Sequence, residues 1–313
     1  MSRDDEPRSD EEEEELKALL EEVRRIEAQS RRLVRLLMEG GYRSVFRGSG
    51  IEFKEVREYA EGDDLRSVDW NVTARVGRPF VKKYLEEREL SVLFLLDLSA
   101  SMGGGFGVWS ARQTAARVCA CFALSAVRCN DKVGLVAFGR GVDKFVPPKK
   151  GFGHVLRIVR DCLALRGAGG GTDIAPALEF ASRVLRRRSI LFLVSDFLAD
   201  GWRDALSLCA RRHDVIAVRL LTPDLIPPDQ AVGLARLRDP ETGLEAVVDW
   251  RSPRVREAYA ERVAAWREQT ERDLRRAKVD RLDVPVPRRA DKDAIVRPIL
   301  DFFRMRELRG EKR

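Results

Sequence analysis

Ser91-Val92-Leu93-Phe94-Leu95-Leu96-Asp97-Leu98-Ser99-Ala100-Ser101-Met102-Gly103-Gly104-Gly105 is an apolar run that stops at one carboxylate, alternates two hydroxyls and dissolves into glycines. An unbroken apolar run of this length suits a strand covered on both faces, as in the parallel sheet of an α/β domain. In such sheets ligands bind beyond the carboxyl ends of the strands, which is where Asp97, Ser99 and Ser101 fall. One carboxylate and two hydroxyls spaced two apart in a turning loop can converge oxygen atoms on a small hard cation such as Mg²⁺. The cluster has no thiol or imidazole, which argues against zinc. The two serines also read as simple caps of the next helix, and from this stretch alone both readings stand.

Two further segments bear on the choice. Gly169-Gly170-Gly171-Thr172-Asp173-Ile174 is a glycine loop leading into a helix, and Ser189-Ile190-Leu191-Phe192-Leu193-Val194-Ser195-Asp196-Phe197 is a second buried strand ending in a carboxylate. Together the segments offer five oxygen-bearing side chains: Asp97, Ser99, Ser101, Thr172 and Asp196. The set resembles the metal-ion-dependent adhesion site of von Willebrand factor A domains, which pairs Asp-x-Ser-x-Ser with a Thr on a second loop and an Asp after a later strand. That resemblance implies a bound Mg²⁺ or Mn²⁺, with the hydroxyls close to the ion and the aspartates acting partly through waters. It also implies one coordination place left for an acidic side chain of a partner protein.

Length and composition bound the rest. A chain of 313 residues holds one full α/β core with appendages, since domains commonly run about 100–200 residues. No apolar run reaches the roughly 18–20 residues that span a bilayer, and the acidic start lacks a signal-peptide layout. The expectation is a soluble, cytoplasmic protein with no membrane span. The five cysteines are dispersed without metal-ligand spacing, so they read as reduced, buried side chains. The net charge of +7 comes from 58 Lys and Arg against 51 Asp and Glu, mostly interspersed, which gives little support for nucleic-acid binding. His154 and His213 are the only histidines. Without a Cys/His or Ser/His cluster, nucleophilic hydrolysis has little support.

Along the chain, residues 1–15 read as a disordered acidic tail. Residues 16–40 form an amphipathic helix, whose apolar stripe either docks on the chain's own domain or pairs with a partner helix. Residues 41–89 read as a β-rich extension. In it Phe53-Lys54-Glu55-Val56-Arg57-Glu58-Tyr59 alternates like a half-buried strand, and Gly62-Asp63-Asp64-Leu65-Arg66 makes a turn. Asp69-Trp70 and Ala74-Arg75 follow. The charged residues Arg57, Asp63, Asp64, Arg66, Asp69 and Arg75 are expected to brace this segment, with Trp70 as a buried apolar anchor.

These motifs, placed just before the Asp-x-Ser-x-Ser strand, resemble an uncharacterised bacterial family with a von Willebrand A-like domain, often encoded beside MoxR-type AAA+ ATPases. The resemblance covers about residues 43–196. Many relatives begin with a transmembrane pair, and no such pair occurs in this sequence, so an envelope-anchored role is not expected to carry over.

Residues 90–308 then read as the von Willebrand A-like domain. Helices are expected over 110–128, 154–165, 174–187, 202–212, 253–277 and 291–308. Strands are expected over 132–138, 142–146, 189–196, 214–221 and 279–286, with Pro147-Pro148 closing the antiparallel edge strand. A hairpin insertion falls near 229–250, and 309–313 is a tail. The alternation predicts an α/β fold: a doubly wound, mostly parallel sheet of Rossmann type, with an N-terminal helix and a β-rich extension.

The leading functional expectation is a non-enzymatic adaptor that binds an acidic side chain through Mg²⁺ and works with a MoxR-type ATPase or its client. The alternative is a Mg²⁺-dependent phosphatase of haloacid-dehalogenase type. Those enzymes carry a second Asp two residues after the nucleophile, where this chain has Ser99, and a hydroxyl there cannot deliver a proton at neutral pH. Gly167-Ala168-Gly169-Gly170-Gly171-Thr172 has no Lys before its Thr, so it is not a P-loop. A structural domain with a vestigial site is the third reading.

Overall fold

The apolar run opens as a strand in which every residue over 92–97 is buried. Its even-numbered residues Val92, Phe94 and Leu96 join one core, and its odd-numbered Leu93 and Leu95 join another. A strand that must satisfy two apolar faces has no polar face to show, which is why the run carries no alternation. The computed structural model describes residues 21, 24–26, 55–60, 68–83, 89–104, 108–167, 171–226, 233–289 and 293–310. The acidic tail expected over 1–15 and the turn at 62–64 lie outside them, as does most of the helix expected over 16–40. Ile26 of that helix is fully buried in the first of the two cores, so this turn docks on the chain's own domain.

The extension holds β1 (Glu55–Glu58), α1 (Trp70–Val76) and β2 (Phe80–Lys83), with β1 and β2 paired antiparallel. Here one expectation fails. Trp70 is 70% exposed, and the buried member of the pair is Asp69 at 8%. Asp69 sits just before α1, where its Oδ1 accepts from the Val72 amide at 3.4 Å. Its own amide donates to Phe80 O at 2.7 Å. An Asp before a helix is favoured because it satisfies an amide that has no intrahelical partner. The requirement for the cap orients the helix and turns the indole outward.

The main domain runs β3 (Ser91–Asp97), α2 (Ala100–Gly103), α3 (Ala111–Arg128), β4 (Lys132–Phe138), β5 (Val142–Lys149), α4 (Phe152–Ala164), α5 (Ala175–Val184), β6 (Ile190–Ser195), α6 (Arg203–Arg212) and β7 (Asp214–Leu221). After it come β8 (Leu234–Arg238), β9 (Glu245–Asp249), α7 (Pro253–Arg276), β10 (Asp280–Pro285) and α8 (Asp293–Gly310). Six strands form one sheet in the order β10-β7-β6-β3-β4-β5, parallel throughout except for the antiparallel edge β5. β8 and β9 make a separate antiparallel hairpin. The fold is α/β with a mostly parallel, doubly wound sheet, as the sequence predicts.

One boundary differs for a physical reason. β5 continues through Pro147 and Pro148 to Lys149, with register shifts against β4. An edge strand tolerates proline because the missing amide need not pair on its open side. The irregular edge presses on Gly134, where an added Cβ would lie 2.8 Å from Val146 O and 2.9 Å from Pro148 N.

The first core covers one sheet face with α3, α4 and α8. Rings tie it across elements: Phe94 stacks on Phe192 at 5.3 Å, Phe192 meets Phe122 at 4.3 Å, and Phe122 stacks on Phe303 at 5.8 Å. The second core covers the other face with α5 and α6. β10 joins β7 partly through Arg219, only 3% exposed, whose guanidinium donates twice to Asp283 at 2.9 Å. All five cysteines are buried, outside any disulfide.

His213, at the end of α6, is 2% exposed, and neither ring nitrogen has a hydrogen-bond partner among the described residues. Burial, with Arg212 and Arg188 nearby, lowers its pKa below the ordinary range. The folded state therefore keeps the ring neutral, while the unfolded chain protonates it below about pH 6.5. Stability from this site is complete above that pH and is lost as the pH falls towards the depressed folded value, at no more than about 1.4 kcal/mol per pH unit. Denaturant titrations at stepped pH should show His213→Gln flattening the curve relative to wild type in this window. Parallel curves would remove His213 as the cause.

Candidate functional site

In the sheet order β3 has β4 on one side and β6 on the other. The chain reverses direction across the sheet at this point, and the crevice beyond the strand ends is where open α/β sheets bind ligands. Asp97 is the last residue of β3, and Asp196 directly follows β6.

Asp97 is 1% exposed and has both oxygens engaged. Oδ1 accepts from the Ser99 amide at 2.8 Å, and Oδ2 accepts from Ser195 Oγ at 2.6 Å. Ser99 Oγ and Ser101 Oγ share a hydrogen bond of 2.9 Å, and Ser101 Oγ donates to Asp196 Oδ2 at 2.7 Å. Although Ser99 stands at the start of α2, its side chain makes no capping bond to that helix. The two hydroxyls serve each other and the second carboxylate, which separates this site from the capping alternative.

The chain after β6 is bent for the purpose. Phe197 adopts φ of 61°, a left-handed conformation that costs a bulky residue roughly 1–3 kcal/mol. Burial of its ring against Trp202 at 5.5 Å and a bond from Trp266 Nε1 to its carbonyl at 3.2 Å hold it there. The Leu198 amide then reaches Asp196 Oδ1 at 3.0 Å.

Thr172 stands on the loop leading into α5, and Asp173 closes that loop by accepting from the Ala175 amide at 3.0 Å. Asp97, Ser99, Ser101 and Asp196 thus form one bonded network, with Thr172 on the adjoining loop and not bonded to it. Thr172 Oγ1 is inaccessible to solvent and has no hydrogen-bond partner among the described residues. Gly171 and Ser99 line a common cleft of about 390 Å³ with Gly139, Arg112, Arg166 and Glu241. Gly167 lies so close to the first loop that an added Cβ would stand 2.4 Å from Leu98 O.

Electrostatically the site is carboxylate-rich, with Asp97, Ser99 and Asp196 buried. Burial, then the charge of Asp196, pushes Asp97 up to about 6 against the bonds from Ser195 and Ser99. Burial likewise raises Asp196, with Glu241 adding to it and the Ser101 and Leu198 bonds opposing. Arg112 borders the cleft, donating to Leu165 O at 2.6 Å. Burial and the neighbouring Arg166 hold its guanidinium below its usual range. Among the described residues no three His, Cys, Asp or Glu side chains cluster closely enough to hold a metal alone. A cation here would need the hydroxyls as well.

Three participants escaped the sequence reading. Ser195 was legible in principle, as the residue before Asp196 at a strand end. Arg112 sits on α3 with nothing local to mark it. Glu241 lies at the turn of the β8–β9 hairpin, yet its Oε1 accepts from the Ser101 amide at 3.2 Å, across 140 residues of chain.

A family model described as "Protein of unknown function DUF58" matches residues 55–269. An uncharacterized protein of Mycobacterium tuberculosis is 32% identical over 246 residues, covering 76% of each chain. An uncharacterized Mycobacterium avium protein is 36% identical over 107 residues, 33% of this chain and 60% of its own. Among solved structures, BatB from Bacteroides thetaiotaomicron matches with 19% identity and a TM-score of 0.42, over 69% of this chain and 99% of its own. The SpRpn10 VWA domain matches with 11% identity and a TM-score of 0.37, over 68% and 95%. The chain belongs to the DUF58 family. The matched span runs past Asp196 into α7, further than the motifs before β3 indicate. Among the described residues no helix is long and apolar enough to cross a membrane.

Proposed function

From that membership and the arrangement around Asp97, we propose that this chain is a protein-interaction module. It binds an acidic side chain of its partner through a Mg²⁺ or Mn²⁺ ion held by Asp97, Ser99, Ser101, Thr172 and Asp196. The observation that carries the reading is the orphaned Thr172 Oγ1. A buried hydroxyl without a partner costs roughly 1–3 kcal/mol, and a hard cation beside it supplies the partner it lacks. Ser99 and Ser101 bond each other and Asp196 through protons that can rotate away, freeing oxygen lone pairs for the same ion. The dication also offsets the cost of burying Asp97 and Asp196 side by side.

A partner carboxylate that completes the shell of a partly desolvated dication gains far more than it would in bulk water. Arg112 and Arg166 at the cleft favour the same sign of partner. Asp97 suits an orienting role better than a nucleophilic one, because both its oxygens are occupied, and this weighs against the phosphatase alternative. The partner we propose is a MoxR-type AAA+ ATPase, or a client it remodels, in a cytoplasmic assembly or remodelling step. Its support is the resemblance carried by the motifs over residues 53–75.

Calorimetry tests the reading with that ATPase, for wild type and Ser99→Ala, in Mg²⁺ and in excess chelator. Wild type in Mg²⁺ should bind at least about tenfold tighter than the other three combinations, a difference of about 1.4 kcal/mol. Thermal stability of the metal-free variant should match the metal-free wild type. Equal affinities in all four conditions would mean that no ion mediates the contact.

A further inference from the structure

The feature left over from the site is Glu241. It arrives from the far end of the chain, on a hairpin whose strands β8 and β9, among the described residues, pair only with each other, and an isolated hairpin is marginally stable in water. The base is anchored: Trp250 is buried and meets Tyr259 edge-on at 5.3 Å, and Tyr259 donates to Asp224 O at 2.6 Å. The strands are open to solvent, with Leu234, Leu244 and Val247 each about two-thirds exposed, at 65%, 72% and 67%. At the tip, Asp239 organises the turn. Its Oδ1 accepts from the Glu241 amide at 2.9 Å and its Oδ2 from Thr242 Oγ1 at 2.6 Å, while Gly243 supplies a φ of 73°. This turn presents Glu241 to the cleft shared by Ser99 and Gly171, where Oε1 meets the Ser101 amide at 3.2 Å.

We infer that Glu241 is a carboxylate ligand the chain itself supplies to the cation, directly or through one water, in the coordination place otherwise open to a partner's acidic side chain. The inference rests on the cation reading above. Two observations carry it. Glu241 accepts from the backbone amide of Ser101, whose hydroxyl donates to Asp196 within the proposed ligand set. It also lines the cleft that Ser99 and Gly171 share. Without a cation, a further carboxylate on the loop bonded to Asp196 brings like charges together, which is unfavourable; a dication reverses the sign of that interaction. The resting state is then self-ligated, and an external acidic ligand must displace the hairpin tip. Displacement frees an arm held at its base by Trp250 and bearing exposed apolar side chains.

Two measurements on the full chain test this together. Glu241→Gln keeps an oxygen acceptor for the Ser101 amide and removes only the charge. Calorimetric titration with MgCl₂ should give an affinity about tenfold weaker for Glu241→Gln than for wild type, since ligand charge count tunes such sites. Hydrogen–deuterium exchange of peptides covering 234–249 should slow on adding Mg²⁺ in wild type and not in Glu241→Gln. If wild type binds Mg²⁺ but either result is missing, Glu241 is not a ligand, and the cation reading survives without it. If wild type binds no Mg²⁺ at all, both fall.

Discussion

Asp97→Asn is expected to leave the metal-free chain folded, with a melting temperature at or above that of wild type, and to abolish the stabilisation that wild type draws from Mg²⁺. The two halves of this result have different causes. In the absence of a cation the wild-type carboxylate is a burden: it is 1% exposed, stands beside Asp196, and is pushed up to about 6 by burial and that neighbouring charge. Asparagine has the same shape without the charge. Its oxygen can still accept from the Ser99 amide, and its NH₂ can donate to Ser195 Oγ once that hydroxyl turns its proton away.

With a cation the balance reverses. Ligand present at about 100 times its Kd stabilises the folded state by about 2.7 kcal/mol, and a neutral amide forfeits the charge that holds the ion at Asp97. Thermal melts of both proteins in excess Mg²⁺ and in chelator give all four values. A full Mg²⁺-dependent shift in Asp97→Asn would place the ion elsewhere. A metal-free variant that is unfolded would make Asp97 a structural residue first.

The parts of the molecule legible in the sequence are those governed by short-range pattern. The runs at Ser91 and Ser189 admit no solvent-facing residue, so both had to be interior strands of a parallel sheet, and the carboxylates that end them had to lie at the same edge. Ser110, expected to open a helix, does so through a reciprocal pair with Gln113, each side chain bonding the other's backbone amide. The misread residue is Trp70. An indole among charges looks like an anchor, but whether it faces in or out depends on the direction in which α1 leaves its cap at Asp69, a tertiary matter. Glu241 could not be found at all. Nothing within its own turn distinguishes it from any solvated acidic residue, and only the folded hairpin brings it to Ser101.

Gly167→Ala should be the most damaging single methyl in the molecule's functional half, and the reason is space, not backbone conformation. The added Cβ would lie 2.4 Å from Leu98 O, 3.2 Å from Leu98 C and 3.3 Å from Leu98 Cβ. The obstacle is main chain, and it is pinned, because the Leu98 amide donates to Phe138 O at 2.8 Å at the very end of the sheet. Relief must come from moving the turn that carries Asp97 and Ser99, or from moving the segment that runs on to Thr172. Either movement separates the two loops whose approach builds the site.

Overpacking of this kind costs about 1–3 kcal/mol and occasionally more, and a clash with fixed backbone belongs at the upper end. Mg²⁺ affinity should fall with it, because the ligands no longer converge. Gly141→Ala is the matched control: a Cβ there meets nothing within 4 Å, so its melting temperature and Mg²⁺ titration should overlay those of wild type. If Gly167→Ala also overlays wild type in both measurements, Gly167 is not wedged against Leu98, and the convergence of the site's oxygens does not depend on that close approach.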